Sequence, residues 1–379
     1  MITEVKTRKD QKEFVNFPLR LYKGNDCFVP PLYADEMALF KKHMVYDEQA
    51  KSVFFLDKEN GKTVGRIQGI LQRVSNEKWN QKRVRFTRFD CINDQNVANR
   101  LLGAVENWAK QQGMEEIVGP LGYSDLDREG LLVEGFDELS TFEEQYNFSY
   151  YQTLLENAGY AKEVDWVESK LFSPDVVDER IERVSARMME KYGLHLGVAK
   201  NASQFVKKWG DGFFEVLDET YEAIYQSVPF TEKMKKSLIS SFKIIVNVKY
   251  ATVILDKNDK IVGFGLAFPS IAKAVQKSNG HLTPAAIVRI LKAVKKPKVI
   301  DLALIGVVPE YRNKAISTAI IAEMLKMLKD GGIEYAETNL NLETNDNILN
   351  AWKAFKRVQH KRRRSFVKQL ANETDDAAK

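Results

Sequence analysis

Cysteine is almost missing from this chain. Cys27 and Cys91 are the only two among 379 residues, so the sequence gives no sign of a disulfide framework, and a packed core must hold it together. Histidine is nearly as scarce: His43, His195, His281 and His360 stand apart, with no partner at metal-ligand spacing, and no metal is expected. There is no Ser-His-Asp arrangement and no Walker loop. No apolar run approaches the ~20 residues that span a bilayer, and residues 1–14 are charged throughout, without the apolar stretch of a signal peptide. A cytoplasmic location is the resulting expectation. An excess of one charge is missing too. Lys and Arg number 57 against 52 Asp and Glu, a net charge of +5, which favours anionic ligands in general but is too small to argue for nucleic acid, and no nucleic-acid partner is expected.

What is present is a globular composition, 44% hydrophobic and 29% charged, long enough for two domains. The chain also repeats itself. Residues 52–71, SVFFLDKENGKTVGRIQGIL, and 251–268, ATVILDKNDKIVGFGLAF, each run β-rich residues into Leu-Asp-Lys, turn, and resume with Val-Gly. Alternation and turn chemistry make each a β-hairpin. A strand follows each hairpin, at 83–90 and 299–307, and feeds an amphipathic helix. Val97, Leu101, Val105 and Trp108 share one face of the first helix; Ile316, Ile320, Met324 and Leu328 share one of the second. Gly113 and Gly331-Gly332 end these helices, and short strands follow at 116–119 and 334–340.

Residues 300–328 carry the clearest chemistry. An apolar strand ends in Val307-Val308-Pro309, and Arg312, Asn313, Lys314, Ala315, Ile316 and Ser317 then open the helix. Free amides and the positive end of the helix dipole converge there, which suits a diphosphate. The stretch resembles the acyl-CoA-binding motif of the GNAT acyltransferase superfamily, Arg/Gln-x-x-Gly-x-Gly/Ala after a Val-x-Pro strand end. It departs in having Asn313 where Gly is frequent, Ala315 for the first motif Gly and Ser317 at the last small position; Ala and Ser admit a phosphate but lack glycine's freedom of φ.

The resemblance implies an α/β (α+β) chain of two tandem GNAT-like domains, each a mixed, mostly antiparallel sheet flanked by helices. The expected boundaries are a degenerate domain at 1–172, a helical connector at 173–193, a domain with the acyl-CoA motif at 194–370 and a disordered tail at 371–379. It further implies that acetyl-CoA or a longer acyl-CoA is the co-substrate and an amine the acceptor. Val307 and Val308 would align the pantetheine, the loop through Ser317 would hold the diphosphate, and Asp301 would be the base that deprotonates the amine. Asn345 falls where the superfamily commonly holds the pantetheine arm, and Trp352 where many members place a tyrosine acid. Indole cannot fill that role; Tyr335, Tyr311 or an unassisted thiolate departure are the alternatives. A second reading of Asp301 puts it at the strand's solvent end beside Lys295, Lys296 and Lys298.

The first half carries Asp90 and Asp94 where the second carries Arg312 and Lys314, so a phosphate is expected only in the second. The first half has its own dense segment at 119–151. Tyr123, Asp127, Glu134, Asp137, Asn147, Tyr150 and Tyr151 are the candidate acceptor-binding residues there, since carboxylates among aromatics suit a cationic amine with an apolar body. The alternative is an ordered loop whose aromatics cover the sheet. Residues 284–298 read as a helix begun by Thr283-Pro284, with an apolar stripe of Ile287, Ile290, Leu291 and Val294 and basic Arg289, Lys292, Lys295, Lys296 and Lys298. Such a helix lies on an anionic membrane surface, caps a lipophilic acceptor site, or turns its basic face to water.

Over nearly its full length the chain is similar to bacterial tandem-GNAT proteins, some of which look like sphingolipid N-acyltransferases. The expected activity is acyl transfer from CoA to an amine. A non-catalytic GNAT-fold binding protein and an aminoacyl-tRNA-dependent transferase are the alternatives, and the sequence leaves the oligomeric state open.

Overall fold

In a computed structural model of the protein, residues 1–312 and 314–370 are described, with backbone alone at 242–244. Asn313 and the expected tail at 371–379 lie outside the described residues. The chain divides into two compact units. One comprises Met1–Trp166, Val275–Ala286 and the residues from Lys361 onward; the other comprises Val167–Ala274 and Ile287–His360. Neither unit is contiguous in sequence.

In the first unit β1 (Ile2–Glu4), α1 (Arg8–Leu21) and α2 (Tyr33–Ala38) precede a hairpin of β2 (Ala50–Glu59) and β3 (Lys62–Gln72). Asn60 and Gly61 close the hairpin at φ 49° and 76°, the backbone that the Asn-Gly pair is suited to. After α3 (Arg73–Trp79), β4 (Arg83–Cys91) pairs antiparallel with β3 and, through Arg83–Arg85, parallel with β5 (Glu116–Gly119). The helix joining them, α4 (Gln95–Gln111), buries Val97, Leu101, Leu102, Val105 and Trp108. It rests on glycine: a Cβ at Gly65 would stand 2.5 Å from Leu101 Cδ1. Then come β6 (Leu131–Glu134), α5 (Tyr150–Asn157) and β7 (Ala161–Phe172), whose residues from Val167 belong to the second unit.

The second unit adds α6 (Glu179–Lys191), β8 (His195–Leu196), α7 (Ala202–Tyr221) and α8 (Glu232–Ile245) before repeating the plan. Its hairpin is β9 (Ala251–Leu255) and β10 (Ile261–Pro269), followed by α9 (Ala272–Gln276) and α10 (Pro284–Lys295), of which residues 275–286 belong to the first unit. Next, β11 (Val299–Val307) leads to α11 (Ile316–Asp330) and to β12 (Tyr335–Glu337), which is parallel to β11. Here too the helix sits on a glycine strand, since a Cβ at Gly265 would come within 2.7 Å of Ile320 Cγ2. The chain ends with β13 (Asn341–Leu342), α12 (Asp346–Ala351) and β14 (Lys356–Gln369). Within the first unit, the later part of β14 pairs antiparallel with β5 at Phe366–Gln369 and with β6 at Arg362–Arg364, which is why residues from 361 onward belong there.

Each unit has its own core. Ile67, Phe86, Leu101, Val105, Tyr151 and Phe366 centre the first. Phe213, Ile254, Phe264, Ile316, Ile320 and Leu328 centre the second. Among the described residues no helix is long and apolar enough to cross a membrane.

Candidate functional site

In the second unit β11 has a strand on one side along its whole length and on the other side for only a third of it. Its partner β10 runs from Pro269 opposite Ile300 to Gly263 opposite Val307. The partner β12 pairs only with Val299, Ile300 and Asp301. From Leu302 onward the β12 side of β11 is a fork, and side chains meet its backbone. Asn339 Nδ2 donates to the Ala303 carbonyl at 3.3 Å. The Tyr221 hydroxyl, at the end of α7, accepts from the Ile305 N–H at 3.4 Å and donates to the Ile305 carbonyl at 3.5 Å. Both distances exceed the usual 2.7–3.2 Å range, so Tyr221 holds this edge loosely. The Val308 amide is already committed, donating to Val262 O at 3.0 Å, and Val308 is buried.

The fork runs toward the N-terminus of α11. Ala315 caps that helix in the left-handed region (φ 55°, ψ 25°) with no side-chain hydrogen bond, and the first turn has no acidic residue. Among the described residues no side chain caps its leading amides, although the Thr318 N–H already donates to Ala315 O at 3.1 Å, and an anion would be favoured at this helix end. Ile316 spends its side chain in the core, while Ser317 is exposed. Arg312 is exposed and its Nε donates to Val307 O at 3.3 Å. Lys314 packs its ammonium 4.4 Å from the Tyr311 ring centre and 5.3 Å from that of Tyr192, with Glu310 at 4.0 Å. The first unit offers no such opening. Asp94 caps α4, its carboxylate accepting from Asn96 N–H at 2.8 Å and Val97 N–H at 3.4 Å, so a carboxylate occupies the place of a phosphate.

Asp301 is the last β11 residue before the fork, half-buried, opposite Glu337 of β12 and Phe268 of β10. Glu337 Oε1 lies 3.2 Å from His360 Nε2, and both side chains are almost wholly buried. Register thus gathers two carboxylates and an imidazole at the mouth of the fork. Other expected residues have local partners. The Asn345 side chain caps α12, accepting from the Ile348 N–H at 3.3 Å. Trp352 is buried and donates to Asn341 Oδ1 at 2.7 Å. Tyr335 carries Lys170 over its ring at 5.4 Å.

The first unit has a buried charged cluster of its own, and it is this recess of charge that holds two of the candidate acceptor residues. Arg88 stands at φ 47° where the β3–β4 register slips between Arg66–Asp90 and Gln68–Thr87, the position of a bulge. Its guanidinium grips Glu36 at 2.8–3.1 Å and Gln68 Oε1 at 2.9 Å. Gln68 donates to the Tyr123 hydroxyl at 2.7 Å. Tyr123 stacks on Tyr46 (4.4 Å, 5°), and Asp127 accepts from both, from Tyr123 N–H at 2.7 Å and from Tyr46 O–H at 3.1 Å. Arg128 donates to Phe142 O at 2.6 Å.

Burial acts on the recess unevenly. It works to raise the Glu36 carboxyl, but the charge and hydrogen bonds of Arg88, with Arg66 behind, outweigh it and hold that carboxyl down at about 2. Burial raises Asp127 despite Arg88, and it lowers the Arg128 guanidinium. Glu143 is open to solvent, yet desolvation still raises its carboxyl. Arg88 and Arg66 take up the charge of Glu36, which leaves Asp127 and Glu143 as the carboxylates that could meet a cationic ligand.

Of the candidate acceptor residues, Tyr123 and Asp127 are in this recess. Asn147 is buried, with its amide accepting from Leu132 N–H at 2.7 Å and donating to Leu132 O at 2.9 Å. The Tyr150 and Tyr151 hydroxyls donate to Cys91 O at 2.8 and 3.0 Å, and the Cys91 N–H donates to Tyr151. These three hold backbone, and the two tyrosines close the end of β4. Glu134 and Asp137 are exposed, Glu134 lying 3.3 Å from Arg362. Glu36, Arg88, Arg128, Glu337 and His360 escaped the sequence reading. Arg88 has no local signature, and His360 looks like one more base in the run through Arg364.

A hairpin, a third strand, a helix seated on glycine and a parallel strand that parts from the third, present twice, make this a tandem GNAT fold. The chain aligns over 98% of its length with a solved tandem GNAT protein from the clavulanic acid biosynthesis pathway, covering 99% of that chain with a TM-score of 0.58 at 9% identity. In sequence it is similar to protein YghO of Escherichia coli (strain K12), 26% identical over 96% of this chain and 94% of that protein. It is also similar to the bacterial ceramide synthase of Caulobacter vibrioides, 24% identical over 87% of this chain and 86% of that one. No protein-family model matches the chain.

Proposed function

We propose that this chain is an acyl-CoA-dependent N-acyltransferase that acylates the amine of a lipid or small molecule. The observation that carries the reading is the β11 edge, which among the described residues has no strand partner on its β12 side beyond Asp301 and leads to a helix N-terminus without a side-chain cap. The pantetheine arm would lie along that edge after displacing the Tyr221 hydroxyl, with the diphosphate at the amides of α11 beside Arg312 and Lys314. Asp301 would take the proton of the acceptor ammonium, with the Glu337–His360 pair behind it. The freed amine nitrogen then attacks the thioester carbonyl, a C–N bond forms, the C–S bond breaks, and CoA leaves as a thiolate that takes up a proton. A thioester is already activated, so placing the neutral amine is the main contribution asked of the protein. The Asp127 and Glu143 carboxylates of the first unit are assigned to capture of the cationic acceptor. Similarity to a protein named bacterial ceramide synthase favours a long-chain amine.

The test is to incubate the protein with a panel of acyl-CoAs and amines, a long-chain base and an amino sugar among them, and to follow thiol release and amide mass. The account expects amide formation, with Asp301→Asn lowering kcat by about a hundredfold or more while CoA affinity is kept. Two observations favour a second reading, a non-catalytic binding protein: Tyr221 rests on Ile305, and the buried Trp352 indole stands where a tyrosine acid is common in the superfamily. CoA binding without thiol release from any pair would decide for it.

A further inference from the structure

The proposed chemistry makes no use of α10. Thr283 Oγ accepts from the Ala286 N–H at 3.2 Å and starts this helix; Asn247 Nδ2 donates to Val294 O at 3.3 Å near its end. The expected apolar stripe is divided in two. Ala286 and Ile290 are buried at 0% and 5% exposure, while Ile287, Val288 and Leu291 stand out at 45%, 52% and 54%. At 100° per residue the three exposed side chains share one outward face, with Pro284 and Lys295 near its axis and Lys292 along one flank. Lys292, Lys295, Lys296 and Lys298 are all exposed.

Exposed aliphatic residues with lysines on one flank and at the helix end are poorly explained by water alone, since a solvated face does not need the former. They fit a phospholipid surface, where aliphatic groups enter the acyl boundary and lysines reach up to phosphate. A second copy of this face would set lysine against lysine, and a nucleic acid would have no use for the aliphatic trio.

We propose that α10 docks the protein on an anionic phospholipid bilayer, with Ile287, Val288 and Leu291 inserted and Lys292, Lys295 and Lys296 on the headgroups. This proposal is independent of the catalytic reading and survives its failure.

Co-sedimentation of the full chain with phosphatidylcholine vesicles, with and without phosphatidylglycerol, tests it. Binding is expected only to the anionic vesicles and should fall as salt rises. The combined change Lys292→Glu, Lys295→Glu and Lys296→Glu should weaken it by roughly a hundredfold, and Ile287→Ser with Leu291→Ser by about tenfold. All five positions are exposed, so melting temperature without vesicles should be unchanged. Independently of those variants, the emission of Val288→Trp should shift to the blue on anionic vesicles. Equal binding to neutral vesicles, no binding to either, or unchanged binding by the variants would overturn the proposal. So would self-association that Leu291→Ser abolishes in protein that ignores vesicles.

Discussion

Ala315 holds a backbone conformation that costs an alanine about 1–2 kcal/mol, and it does so at the first capping position of α11. A glycine there would carry no such cost, so Ala315→Gly is expected to raise stability to urea by about 1 kcal/mol. An unchanged or lowered midpoint would show the left-handed backbone to be wrong. Glu36 makes a second claim at this scale. Its carboxyl is held at about 2 against an ordinary 4.5, so the stability it contributes is present above pH 4.5 and is lost as the pH falls toward 2. The raised carboxyls of Asp127 and Glu143 act in the opposite sense, so the comparison must be between wild type and variant. Urea titrations of wild type and Glu36→Gln should show the gap in stability shrinking by about 3 kcal/mol between pH 5 and pH 2. A pH-independent gap would remove the Arg88–Glu36 pair from the account.

At the scale of elements, the part of the fold written in local pattern was legible. The hairpins at 52–71 and 251–268, the strand at 299–307 and the helix opening near Ile316 follow from alternation, turn residues and helical spacing, and all stand in the structure. Glycine carries part of that legibility, for Gly65 and Gly265 mark where a helix presses on a strand. Contacts set by register between distant strands were not legible. Glu337 meets His360, and Arg88 meets Glu36, only after β12 and β14 are placed and the β4 bulge is formed. The 119–151 segment was open between two readings for a related reason: Asn147, Tyr150 and Tyr151 carry pocket-like side chains whose hydrogen bonds to backbone are set only by the fold. α7 yields a prediction at this scale. If Tyr221 competes with pantetheine for Ile305, then Tyr221→Phe should tighten CoA several-fold by removing two long hydrogen bonds to be displaced. Weaker binding in a calorimetric titration would make the hydroxyl a ligand rather than a competitor.

Across the whole molecule, one fold appears twice with opposite chemistry at equivalent helix ends. α4 is closed by the Asp94 carboxylate and backed by the Arg66–Asp90 pair at 2.7 Å, whereas α11 is open and has Arg312 and Lys314 beside it. The acids that repel a phosphate in the first unit are part of what suits it to a cation, so a division of labour follows from charge alone. Its consequence is a stoichiometry. Calorimetric titration of the full chain with acyl-CoA tests this most directly: the account predicts one molecule bound per chain, weakened about tenfold or more by Arg312→Glu. Two molecules per chain, none, or an affinity indifferent to Arg312→Glu would contradict it.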